Sequence, residues 1–149
     1  MPSNTAALLM PALPVVVAAV LGAAIGAERE WRRHSGGLRS CALVAAAAAC
    51  FAVVAIEAPG NNPTPALGAI ATGVGFLGAG VILRHGGQVR GLSTAATFWA
   101  VAAIGTASGL HDYAMACTLT LVVFFAHVAL RPLSAWIDRH APPEDNGPG

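Results

Sequence analysis

Threaded in order, the apolar stretches of this chain leave every arginine on one side, a segregation that restricts the fold to helices crossing a membrane. The stretches run Ala6 to Ala27, Cys41 to Ile56, Ala66 to Leu83, Leu92 to Gly109 and Tyr113 to Leu130; the second is the shortest. About 20 apolar residues of helix cross roughly 30 Å of hydrocarbon, where backbone polar groups must be satisfied within the protein. Arg29, Arg32, Arg33 and Arg39 lie in the first connection, Arg84 and Arg90 in the third, and Arg131 and Arg139 after the fifth stretch. Because basic loops stay cytoplasmic, five crossings put the amino terminus outside and the carboxyl terminus inside. Moving any one hairpin breaks the segregation.

The expected fold is therefore all-α, an integral bundle of about five transmembrane helices over residues 1–137, followed by a disordered cytoplasmic tail over 138–149. With 56% hydrophobic and 10% charged residues and a mean hydropathy of +0.66, the chain has too little polar surface to coat a soluble domain. A net charge of +1 gives no footprint for nucleic acid. Met1 to Thr5 carries no basic side chain and the basic cluster follows the apolar run, the reverse of a cleaved leader, so the first stretch is expected to remain as an anchor. Pro11 and Pro14 predict a late helix start or a kink there. Cys41 and Cys50 would sit roughly 13 Å apart along one helix, beyond the reach of a disulfide. With Cys117 they read as small apolar residues.

Lipid supplies no hydrophobic drive between helices, so association depends on small residues that let backbones approach. Gly22 and Gly26 form one GxxxG and Gly105 and Gly109 another; Gly75, Gly78 and Gly80 mark the third helix. These are the expected packing positions, and they suit homo-oligomerisation as well as packing within one chain. Gly73-Val74-Gly75-Phe76-Leu77-Gly78 matches the dinucleotide-binding fingerprint, but that mechanism needs a preceding strand, an accessible helix start and an acid about 20 positions on. Here the run lies inside an apolar helix and Phe98 stands at the acid's place, so no cofactor is expected.

Polar chemistry gathers at the cytoplasmic face. Glu28 and Arg32 are spaced i,i+4 for a helical ion pair, whereas Glu28 and Glu30 point to nearly opposite faces and make a poor acid/base pair or chelate. Glu28 and Arg29 fall where the apolar run stops and need partners there, with Arg39, Arg84 and Arg90 as the available cations. Ser93 or Thr94 would cap the fourth helix; its free amides with Arg90 would otherwise suit an anion. The hydroxyls of Ser93, Thr94 and Thr97 have a further use, bonding across to neighbouring helices. The expected network is Glu28, Arg29, Arg39, Arg84, Arg90, Ser93 and Thr94. His127, well inside an apolar run, reads as an interhelical hydrogen-bond partner or a proton-responsive group. Gly36-Gly37-Leu38-Arg39-Ser40 and Gly86 to Ser93 form a faint repeat, each leading from a basic turn into an Ala-rich helix. No metal-ligand set and no nucleophile with its base stands out, which argues against an enzyme.

Four ordered blocks carry a family resemblance: Gly22 to Trp31, Gly37 to Ser40, Gly73 to Ile82 and Val89 to Trp99. Over about Val15 to Ile137 the chain resembles the MgtC/SapB family of bacterial inner-membrane proteins. The resemblance implies a five-helix membrane domain, a role in adaptation to low magnesium and, in pathogens, in virulence. It implies a non-enzymatic regulator that modulates other membrane machines, ATP synthase among them. The alternative is a small-ion transporter or channel, for magnesium or protons, acting as an oligomer. Longer members carry a soluble domain resembling ACT domains after the bundle, and this chain reads as a short form without it. The loop that commonly holds Asp-Gly reads Arg84-His85-Gly86-Gly87 here, and Ser93 stands where members linked to virulence commonly have Asn.

Overall fold

The computed structural model describes residues 4–60, 62–85 and 88–140, without the side chains of 4–10, 84, 85, 88, 131, 134, 135 and 138. Five helices follow in order: α1 (Asn4–Trp31), α2 (Leu38–Glu57), α3 (Thr64–Val81), α4 (Leu92–Gly109) and α5 (Tyr113–His140). Between α3 and α4 lies an antiparallel ribbon of β1 (Leu83–His85) and β2 (Gln88–Arg90), with Leu83 opposite Arg90 and His85 opposite Gln88. The all-α expectation holds apart from this ribbon. α1 is helical from Asn4, so its two prolines do not delay its start, and the Pro14 ring is fully buried. α2 is a full 20 residues, because Leu38, Arg39 and Ser40 join its first turn. α5 continues to His140, past the expected end of the bundle at Ile137, while 141–149 fall outside the described residues.

Four of the five helices are long and apolar enough to cross a membrane; α4 is the exception. Its polar residues have protein around them. Thr94, Thr97 and Ser108 are buried beside Phe98, Val101, Ile104 and Gly105, so α4 is the shared inner element that α1, α2, α3 and α5 pack around. The large side chains of the other helices point outward, Phe51, Phe76 and Phe125 among them, which suits a lipid surface.

Backbone contact joins α1, α2 and α4. A Cβ added at Gly22 would lie 2.6 Å from the Cys41 carbonyl oxygen, and one at Gly26 would lie 2.6 Å from the Leu38 Cα. On the other side of α2, Gly105 and Gly109 rest on the carbonyls of Ala45 and Ala49. Ala45, Ala48, Ala49 and Ala52 are buried between the two glycine pairs. The third helix departs from expectation. A Cβ added at Gly78 would lie 3.3 Å from the Ala95 Cβ, but Gly75 and Gly80 have open space where a side chain would stand. They lie on the outer face of α3, so among the described residues they do not contribute to packing.

Two of the arginine-bearing segments, the first and third connections, meet at one end. The turn after α1 and the start of α4 are in direct contact there, and Gly91, which precedes α4, sits against Val81 at the end of α3. Gly91 has φ +93°, and a Cβ would run into the Val81 carbonyl. Gly91→Ala is expected to cost about 2 kcal/mol, from left-handed strain and that clash. Thermal unfolding in detergent micelles checks this.

Candidate functional site

At the basic end the last turn of α1 carries Glu28 and Arg29, and Arg32 follows it directly. Arg33 takes a left-handed conformation at φ 57°, and the His34 amide donates to the Arg29 carbonyl at 3.0 Å, which turns the chain sharply toward α2. The turn then lies over α4: a Cβ on Gly36 would strike Thr94 and the Phe98 ring. The second carboxylate of the cluster has its own task. Glu30 Oε2 accepts the Leu38 amide at 2.9 Å and so caps α2.

Arg29 is 2% exposed and forms the centre of the junction. Its Nε donates to the Gly36 carbonyl at 3.1 Å and its Nη2 to the Ser35 carbonyl at 2.6 Å. Nη2 also donates to Thr94 Oγ1 at 2.8 Å, and Nη1 to Thr97 Oγ1 at 2.9 Å. A planar guanidinium presents its donors in a fixed fork, so these four bonds lock α1, the turn and α4 in one arrangement. Ser35 and Thr94 share a further contact at 3.0 Å between their hydroxyls. The carbonyl end of the α1 dipole lies beside the charge and favours it. Beneath it the Cys41 thiol donates to the Gly36 carbonyl at 3.3 Å.

From Thr97 the network continues to α5. Thr97 Oγ1 lies 3.1 Å from His127 Nε2, and His127 Nδ1 lies 3.5 Å from Glu28 Oε2. The other oxygen of Glu28 pairs with Arg32, as the i,i+4 spacing requires. Glu28, Arg32, His34, Ser93 and His127 line a cavity of about 370 Å³ at this end, with Arg29 at its wall.

Of the residues expected in one network, Glu28, Arg29 and Thr94 come together here. Ser93 contributes its carbonyl, which accepts from Thr97 at 2.8 Å, while its side chain is exposed. Arg39 and Arg90 are exposed and take no part in the junction among the described residues; the Arg84 side chain lies outside them. Glu28 finds its cation four residues on, just past the end of α1, so it needs none from another connection. Neither Ser93 nor Thr94 caps α4. The cap is Gly91 without a side-chain bond, and Thr94 faces Arg29 from inside the helix. Ser35, Thr97 and His127 belong to the junction but not to the expected set. The fingerprint at Gly73 to Gly78 lies within α3, with no strand before it among the described residues and no helix start within it.

A bundle of four membrane-length helices around a less apolar fifth, with a buried arginine that ties α1 and its following turn to α4, is a multi-pass membrane protein with a polar site at one end. Comparison with known proteins is more specific. The MgtC family model matches residues 15–136, and the chain belongs to the MgtC family. It is 43% identical to Protein MgtC of Salmonella typhimurium (strain LT2) over 127 residues, which is 85% of this chain and 55% of that protein. An uncharacterized protein of Synechocystis is 44% identical over 131 residues, 87% of this chain and 56% of its own length. Protein MgtC of Brucella abortus (strain 2308) is 43% identical over 115 residues, 76% of this chain and 48% of that protein. The chain thus spans about half the length of the curated relatives it matches. No solved structure matches it.

Proposed function

We propose that this protein is a non-enzymatic regulator in the bacterial inner membrane, acting by binding another membrane protein, with its basic end in the cytoplasm and its amino terminus outside. Family membership supports the class, and a role in low-magnesium adaptation and in restraint of machines such as ATP synthase follows from the resemblance. The observation that carries the reading is the closed basic end. Arg29 places a fixed positive charge where α1, α4 and α5 meet, with its bonds spent inside the protein. A cation moving between those helices would meet that charge at low dielectric, where repulsion is strong. The backbones of α1, α2 and α4 are in close contact at Gly22, Gly26, Gly105 and Gly109. What remains for function is the outer surface of the helices and the charged rim.

The second reading, a small-ion transporter acting as an oligomer, has one observation in its favour: Glu28 is an acidic group near membrane depth that lines a cavity. Co-reconstitution separates the two. Vesicles holding ATP synthase with an excess of this chain are expected to show reduced ATP-driven proton pumping, with tight vesicles throughout. Unchanged pumping at every ratio would remove ATP synthase as the target, and a leak caused by the chain alone would favour transport.

A further inference from the structure

We propose that Glu28, Thr97 and His127 form a proton-binding site that opens onto the cavity at the basic end. It stands apart from the choice of partner, since it follows from hydrogen-bond accounting at one threonine.

The Thr97 hydroxyl has a single proton and three neighbours. Arg29 Nη1, at 2.9 Å, can only donate to it. The Ser93 carbonyl, at 2.8 Å, can only accept from it. His127 Nε2, at 3.1 Å, is the one neighbour whose role depends on its own protonation. The other ring nitrogen, Nδ1, is buried without a hydrogen bond and faces Glu28 Oε2 at 3.5 Å, an ion-pair distance.

Two states satisfy these positions. In the first, His127 is neutral with its proton on Nδ1, directed at the Glu28 carboxylate, and bare Nε2 accepts the Thr97 hydroxyl. In the second, one more proton sits on Nε2. The imidazolium then donates to the Thr97 oxygen, and the Thr97 hydroxyl turns to the Ser93 carbonyl. Arg29 donates to the same oxygen in both, so the arginine junction survives the change. The remaining form, neutral with its proton on Nε2, sets the bare Nδ1 lone pair against a carboxylate and is disfavoured. One proton taken up at Nε2 therefore turns one hydroxyl and adds one cation facing Glu28.

The surroundings suit exchange with the aqueous phase. His127 is 20% exposed at its side chain and shares the cavity of about 370 Å³ with Glu28, Arg32 and His34. The charged and titratable groups that face it among the described residues are Glu28 and Arg29 from α1 and Arg32 and His34 from the turn; α4 presents Ser93 and Thr97, which carry no charge. Glu28 has an oxygen for each cation, one for Arg32 and one for His127. Proton uptake thus draws α5 onto α1 without displacing Arg32, and proton loss leaves Thr97 as the direct bond between α4 and α5 at this level.

The test is the protonation of the His127 ring by nitrogen-15 NMR on the full chain, histidine-labelled, in nanodiscs. His127→Gln identifies its signals among the five histidines. At about pH 9 the proton is expected on Nδ1, and at about pH 5 both nitrogens are expected to carry one. Glu28→Ala is expected to move the high-pH proton to Nε2, and Thr97→Ser, which keeps the hydroxyl, to leave the wild-type pattern. A wild-type ring with its proton on Nε2 at high pH, or one that never takes a second proton, overturns the site. That reading needs no variant to fold beyond the one used for assignment, and the unshifted signals of the other histidines verify it.

Discussion

Arg29→Met is expected to lower the unfolding free energy of the bundle by about 3 kcal/mol or more, since hydrogen bonds to a buried charged group contribute roughly 1.5–3 kcal/mol each and are not additive. Methionine fills much of the volume but leaves the Ser35 and Gly36 carbonyls without their guanidinium donors and removes the charged tie to Thr94 and Thr97 of α4. Arg29→Lys keeps the charge but lacks the fork, so it is expected to recover only part of the loss. Unfolding by denaturing detergent in mixed micelles, followed by helical circular dichroism, measures both. A change below about 0.5 kcal/mol for methionine, the range of ordinary surface substitutions, would mean that the junction is not what holds this end together.

Gly105→Ala is expected to be similarly damaging, for steric reasons. The added methyl group meets the Ala45 carbonyl, a backbone atom that can yield only if α2 and α4 separate. Overpacking a close contact costs about 1–3 kcal/mol, and sometimes more where backbone must move. Gly75→Ala is the paired control, because nothing lies within 4 Å of its new methyl group. It is expected to change stability by less than about 0.5 kcal/mol. Equal effects at the two positions in the same unfolding assay would contradict the packing described.

The contrast between those two glycines shows where sequence reading stops. Both occupy small-residue patterns within apolar helices, and the letters are the same. Which face of α3 or α4 meets a neighbour depends on rotation about the helix axis, and that is set by the whole bundle. Helix number and the gathering of arginines at one end were legible because they rest on length and charge alone. The pairing of Glu28 with Arg32 was legible because four residues of helix fix it. Arg29, Arg39 and Arg90 are all expected in one network from their positions in the sequence, yet of the three only Arg29 is buried. Thr97 and His127 are 30 positions apart, and no local spacing joins them. The low apolarity of α4 was the signal for its central place, since a helix carrying Ser93, Thr94, Thr97 and Ser108 needs protein partners that lipid cannot supply. The ribbon had a signal as well: Leu83 to Arg90 places two extended triplets around Gly86-Gly87, a two-residue hairpin spacer.

The most direct measurement of the closed basic end is ion flux through the chain alone. Purified protein in proteoliposomes is assayed for magnesium and proton flux beside a working transporter reconstituted in the same way. The expected result is no flux above protein-free vesicles, because Arg29 ties α1 and the turn after it to α4, with its charge fixed at that junction. Magnesium or proton flux that is abolished by Glu28→Gln would contradict the closed end and make Glu28 part of a conducting path.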